Sequence, residues 1–135
     1  MMARAYSNPP PSATERKARA FPQVDGAERA IDLVHLARAT DGDESLEAEL
    51  LAMFDRQSEK LVERVKRDDL ARRARADIAH RLRGSALAIG AFAVARAAEA
   101  LEAALDGQGE TQAPIAAIET AVAEARATIA ELEGR

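Results

Sequence analysis

The chain contains no cysteine and no tryptophan, and aromatic residues make up only 3% of it. Without cysteine there can be no disulfide and no thiolate metal site, a pattern that fits a reducing compartment. With so few aromatics, the 47% of residues that are hydrophobic must build a core from Ala, Leu, Ile and Val. Such side chains suit closely packed helices, because strands favour aromatic and β-branched residues. No apolar run is long enough to cross a bilayer. Arg4, Arg16, Lys17 and Arg19 have no apolar stretch behind them, so no secretion signal is expected and the expected location is the cytoplasm.

Proline is nearly absent after the first residues: four of the five prolines lie within residues 1–27. That segment has no apolar period and is expected to be a flexible leader, a tail rather than a docking arm. The remainder, 28–135, is expected to form one domain, since 135 residues support a single modest core.

What is present is helical spacing. AERAIDLVHLARA, from Ala27 to Ala39, places Ile31, Leu33, Val34 and Leu36 on a short helix or helical turn. TDGDES interrupts it and offers Asp43 or Asp41 as a cap for the next helix. That second helix is expected from about Glu44 to Lys66, with Leu46, Leu50, Met53, Phe54, Leu61 and Val65 as its buried stripe. A polar link at Asp68 and Asp69 precedes a third helix over about Leu70 to Ile89, where Gly90 permits a bend. The fourth continues to about Leu105, turning Val94, Ala97, Ala98, Leu101 and Leu105 inward. DGQGETQAP reads as a loop with Thr111 as a cap near Pro114, before a last helix carrying Ile115, Ile118, Val122, Ala125, Ile129 and Leu132. The expected fold is all-α: an antiparallel four-helix bundle with a short additional N-terminal helix.

Charge is unevenly spread. Residues 28–63 carry 4 basic and 10 acidic side chains, residues 64–83 carry 8 and 3, and residues 84–135 carry 3 and 8. The single basic segment ends around a histidine, which predicts a partner with an acidic surface.

Helical periodicity sorts the third helix into faces. With Ile78 as origin, Leu82, Ser85 and Ile89 fall within about 40°, which makes them the buried stripe, while His80 falls at about 200°. Arg83, Gly84 and Leu87 fall at about 140°, 240° and 180°, on the histidine's side. The imidazole therefore faces solvent. A mid-helix glycine is unfavourable by about 1 kcal/mol relative to alanine, and here it clears the approach to the ring. Leu87 offers an apolar foothold and Arg83 a positive charge. An accessible nitrogen, open space and a cation together suit an imidazole that receives a phosphoryl group.

AHRLRGSALAIGA, residues 79–91, resembles the signature of histidine-containing phosphotransfer (HPt) domains, the carriers of multistep two-component relays. The matching positions are His80, Arg83, Gly84, Ser85, Gly90 and Ala91. The similarity extends back through IDLVHLARATDGDESLEAELLAMFDRQSEKL and covers about residues 30–105. Arg83 stands where Lys is commoner, and Ala86 where many members have a second serine.

The resemblance implies a phosphocarrier rather than an enzyme with a nucleotide site. His80 would accept a phosphoryl group from a phospho-aspartyl receiver domain and pass it to another receiver, with Arg83 screening the phosphate charge. Gly84, Leu87, Arg73 and Ala76 would form the receiver-docking surface. Ser85 and Gly90 would be structural, Ser85 bonding back to a carbonyl one turn earlier. No cofactor is expected on this chain, and the Mg²⁺ is expected on the receiver. Response-regulator receivers and a hybrid histidine kinase are the implied partners; nucleic acid and membrane are not, and a monomer is expected. His35 is expected to serve packing. Two histidines at no paired helical spacing do not make a metal site. The competing reading is a non-catalytic helical adaptor that binds a partner through the exposed face of the third helix.

Overall fold

The computed structural model describes residues 29–134, and among them every regular element is an α-helix. The expected leader, 1–27, lies outside the described residues. Asp32 starts α1 (Leu33–Ala39) by accepting the His35 backbone N–H at 3.0 Å. The helix thus begins later than Ala27, where the apolar spacing alone placed it. Asp41 and Gly42 both take positive φ, and this turn leaves Asp43 to cap α2 (Glu44–Val65). The Asp43 carboxylate accepts from Leu46 N–H, and Glu44 and Glu47 stand in the first turn, where the helix dipole favours them.

α3 (Arg72–Ile89) and α4 (Phe92–Asp106) are joined at Gly90, which has φ +79°. A Cβ built there would lie 2.8 Å from the Asp32 carbonyl oxygen, so only glycine lets α1 approach this turn. Asp32 N–H donates to the Gly90 carbonyl at 2.9 Å. α5 (Gln112–Glu133) follows the polar loop. Thr111 occupies the N-cap position as expected, but its side chain makes no capping bond: the Glu110 carboxylate accepts from the N–H groups of Gln112 and Ala113 instead. A longer acidic side chain one residue earlier reaches the same orphan donors.

α3 packs against α2 and α4, α4 packs against α5, and α5 closes back on α2. The interior is aliphatic, with Leu36, Leu82, Ile89, Leu101, Ile118 and Ile129 almost wholly covered. On α2 the buried row is Glu47, Leu51, Phe54, Ser58, Leu61 and Val65, at alternating four- and three-residue spacing. Leu46 and Met53, expected inside, are exposed, and Leu50 is half-buried. Two polar residues occupy the inward row, and a reading by hydrophobicity alone skips them and slips to the adjacent row. Ser58 and Glu47 find partners there, Glu47 accepting from the Thr40 hydroxyl at 3.0 Å.

Three arginines tie the helices together. Arg72 donates to the carbonyls of Ala104, Leu105 and Gly107, capping the end of α4. Arg75 is buried and its Nε donates to the Val65 carbonyl at 2.8 Å, capping α2. Arg126 of α5 reaches Asp55 at 2.8 Å and Glu59 at 3.0 Å on α2.

Candidate functional site

The buried arc of α3 includes Arg75, Ile78, Ala79, Leu82, Ala86 and Ile89. Its centre lies about 60° from Ile78 on the Ala79 side, so Gly84 points directly away from the core and His80 about 140° from its centre. The His80 side chain is 65% exposed. Periodicity located the ring correctly, but it does not leave both nitrogens free. Nδ1 lies 3.1 Å from Oε2 and 3.3 Å from Oε1 of Glu102, on α4. Nε2 has no hydrogen-bond partner among the described residues.

This pairing decides the ring's chemistry. A carboxylate only accepts hydrogen bonds, so Nδ1 carries the proton that faces Glu102. The lone pair of the neutral imidazole then lies on Nε2, the nitrogen left open. Glu102 is itself only 23% exposed, which shields the contact from bulk water.

Arg83 joins the same carboxylate: its Nη1 stands 3.6 Å from Glu102 Oε1, within ion-pair range but longer than a hydrogen bond. The expected free cation beside the histidine is therefore engaged at rest. Glu102 was missed because periodicity within one helix says nothing about the next. A signal was available: His80 precedes the Gly90 turn by ten residues and Glu102 follows it by twelve, so an α3–α4 hairpin brings them level.

Gly84 has nothing within 4 Å of an added Cβ. The glycine therefore serves no close helix packing and leaves open space on the histidine's face. Leu87 is 40% exposed, and Arg73 is freely exposed with Asp77 at 4.0 Å. Arg73, Asp77, His80, Gly84 and Leu87 recur at four- and three-residue spacing, forming one outward row. Ala76 does not belong to that surface. It is 4% exposed, because the start of α3 lies against the end of α4 where Arg72 is anchored. Ser85 is half-buried, and among the described residues its hydroxyl makes no bond to a carbonyl one turn back.

His35 packs as expected, with added direction. Its Nε2 lies 3.0 Å from the Leu87 carbonyl, and its ring meets Phe92 edge-on with centroids 5.1 Å apart. Next to these residues, Arg83, Leu87, Phe92, Ala95, Arg96 and Glu99 line an open cavity of about 310 Å³ between α3 and α4.

Much of the basic segment is engaged in helix caps and ion pairs, although only Arg75 of it is buried. Arg72 and Arg75 cap helices, Lys66 pairs with Glu119 at 2.8 Å, and Arg67 pairs with Asp69 at 2.6 Å. Hydrogen bonding to Glu119 raises the Lys66 pKa, and hydrogen bonding to Arg67 lowers that of Asp69. The cations left facing outward near His80 are Arg73 and Arg81. No helix among the described residues is long and apolar enough to cross a membrane.

A family model described as Hpt domain matches residues 44–134. The match includes the final helix, which carries no motif of its own, and leaves α1 outside. No curated protein and no solved structure matches the chain.

Proposed function

The chain belongs to the Hpt domain family, whose members are histidine phosphotransfer modules of two-component phosphorelays, and from that premise we propose that Nε2 of His80 is its phosphoryl acceptor. The observation that carries the assignment is the one-sided engagement of the ring, with Nδ1 held by Glu102 and Nε2 open. The donor is a phospho-aspartyl receiver domain, and a second receiver takes the group onward.

In the forward step the Nε2 lone pair attacks phosphorus, and the P–O bond to the aspartate carboxylate breaks. The bonding electron pair leaves with that carboxylate. The ring keeps its Nδ1 proton and becomes cationic, and the Glu102 carboxylate faces the new charge, in the manner of an acid that orients a catalytic histidine. Arg83 supplies a cation for the phosphoryl dianion, and Gly84 leaves room for the receiver to bring its acyl phosphate in line. Return transfer runs the same step backwards. Mg²⁺ belongs to the receiver in this account, and the chain needs no cofactor of its own.

Gly84, Leu87 and Arg73 form the docking row, with Arg81 beside it. The closed ring of contacts among α2, α3, α4 and α5 supports an antiparallel four-helix bundle, with α1 against the α3–α4 turn. A monomer acting in the cytoplasm, supplied by a hybrid histidine kinase through its receiver, completes the reading. Incubation with phosphorylated receivers tests it. Acid-labile, alkali-stable phosphate on this chain is the expected outcome, and stoichiometric receiver binding with no phosphate transfer would establish an adaptor instead.

A further inference from the structure

α1 lies outside the residues that match the family, yet directed contacts attach it to one end of the docking row. Asp32 N–H donates to the Gly90 carbonyl at 2.9 Å. His35 Nε2 donates to the Leu87 carbonyl at 3.0 Å, and the His35 ring meets the edge of Phe92. Leu87 and Phe92 are neighbours in the cavity that also takes in Arg83. The Leu87 carbonyl, in the last turn of α3, accepts from the Gly90 N–H at 3.3 Å, and this imidazole supplies its second and shorter hydrogen bond, at 3.0 Å, from outside the helix. The same ring, by its edge contact, limits where Phe92 can lie.

We propose that His35 is a positioning residue for partner docking: it fixes the end of α3 and the Phe92 ring, and so sets the shape of the cavity that receives the partner beside His80. The proposal rests on the phosphotransfer reading above. His35 takes no part in the chemistry. Leu87 is seven residues from His80, two turns or about 10 Å along the helix, so the His80–Glu102 pair is left as it is when His35 is changed. His35 therefore acts on partner affinity and not on the chemical step.

The test uses the full chain and a panel of receiver domains from the same source, each charged with acetyl phosphate and Mg²⁺. For receivers that label the unaltered protein, the maximal rate and the half-saturating receiver concentration are measured with His35→Ala, His35→Gln and Ile118→Val. His35→Ala should raise the half-saturating concentration about fivefold, the worth of one hydrogen bond, with an unchanged maximal rate. His35→Gln can still donate to the Leu87 carbonyl and should recover much of the loss. Ile118→Val, buried in α5 away from this end, should lower the melting temperature without moving half-saturation. An unchanged half-saturation in His35→Ala, or an equal shift in Ile118→Val, would overturn the proposal alone. If no receiver labels the unaltered protein, the phosphotransfer reading fails first and this proposal falls with it.

Discussion

The carboxylate of Glu102 stands 3.1 Å from Nδ1 of His80 and 3.6 Å from Nη1 of Arg83, so one acid on α4 holds two side chains of α3. A hydrogen bond to a charged group contributes about 1.5–3 kcal/mol, which corresponds to roughly a ten- to hundredfold effect on a rate. With the histidine largely exposed, the lower end applies. Glu102→Leu should therefore slow phosphoryl acceptance about tenfold, and ¹⁵N spectra of the His80 ring should show both neutral tautomers. Glu102→Gln can still accept from Nδ1 and should keep the tautomer while losing charge stabilisation. An unchanged tautomer in Glu102→Leu would remove Glu102 from the account.

Gly84 separates docking from stability. Nothing lies within 4 Å of an added Cβ, so replacing this helical glycine should stabilise the fold by up to about 1 kcal/mol. Gly84→Gln should melt no lower than the unaltered protein and yet accept phosphate poorly, because its side chain occupies the histidine's approach. A lowered melting temperature would show that the glycine serves packing after all.

Gly90 should behave in the opposite way. Its φ of +79° and the 2.8 Å approach of the Asp32 carbonyl to a built Cβ combine strain with a clash against backbone. Gly90→Ala should destabilise the fold by about 2 kcal/mol or more. Thermal or denaturant unfolding reads this directly, and a neutral result would contradict the described turn.

The arginines of α3 should divide by role. Arg75 is buried on the Val65 carbonyl. Arg75→Met should lower stability by about 2 kcal/mol, because it leaves a buried acceptor unpaired. It should leave the salt dependence of receiver association unchanged. Arg73→Ala and Arg81→Ala should each weaken that salt dependence with little change in stability. Association rates measured across a salt series distinguish the two groups.

The helices and their order were legible in the sequence because caps and periods are local. Asp43 announces α2, and the three-four spacing of Ile115, Ile118, Val122 and Ile129 announces α5. The outward placement of His80 followed from the same periodicity, as did the openness around Gly84. Properties that depend on a second helix were not legible. The inward row of α2 contains Glu47 and Ser58, whose burial depends on partners that a hydrophobic pattern does not register. The basic run over 64–83 reads as a field for an acidic partner, yet Arg72 and Arg75 are bound to helix ends. Ala76 shares a helical face with His80 but is covered by its neighbours. Glu102 required the α3–α4 pairing, which comes from the turn at Gly90 rather than from any motif.

The most direct test of the central claim uses a ³²P-labelled phosphoreceiver against the unaltered chain and His80→Gln. The account predicts label on the unaltered chain that is labile in acid and stable in alkali, and none on His80→Gln, whose circular dichroism stays the same because the side chain lies outside the core. Equal labelling of the folded variant would contradict the assignment of His80.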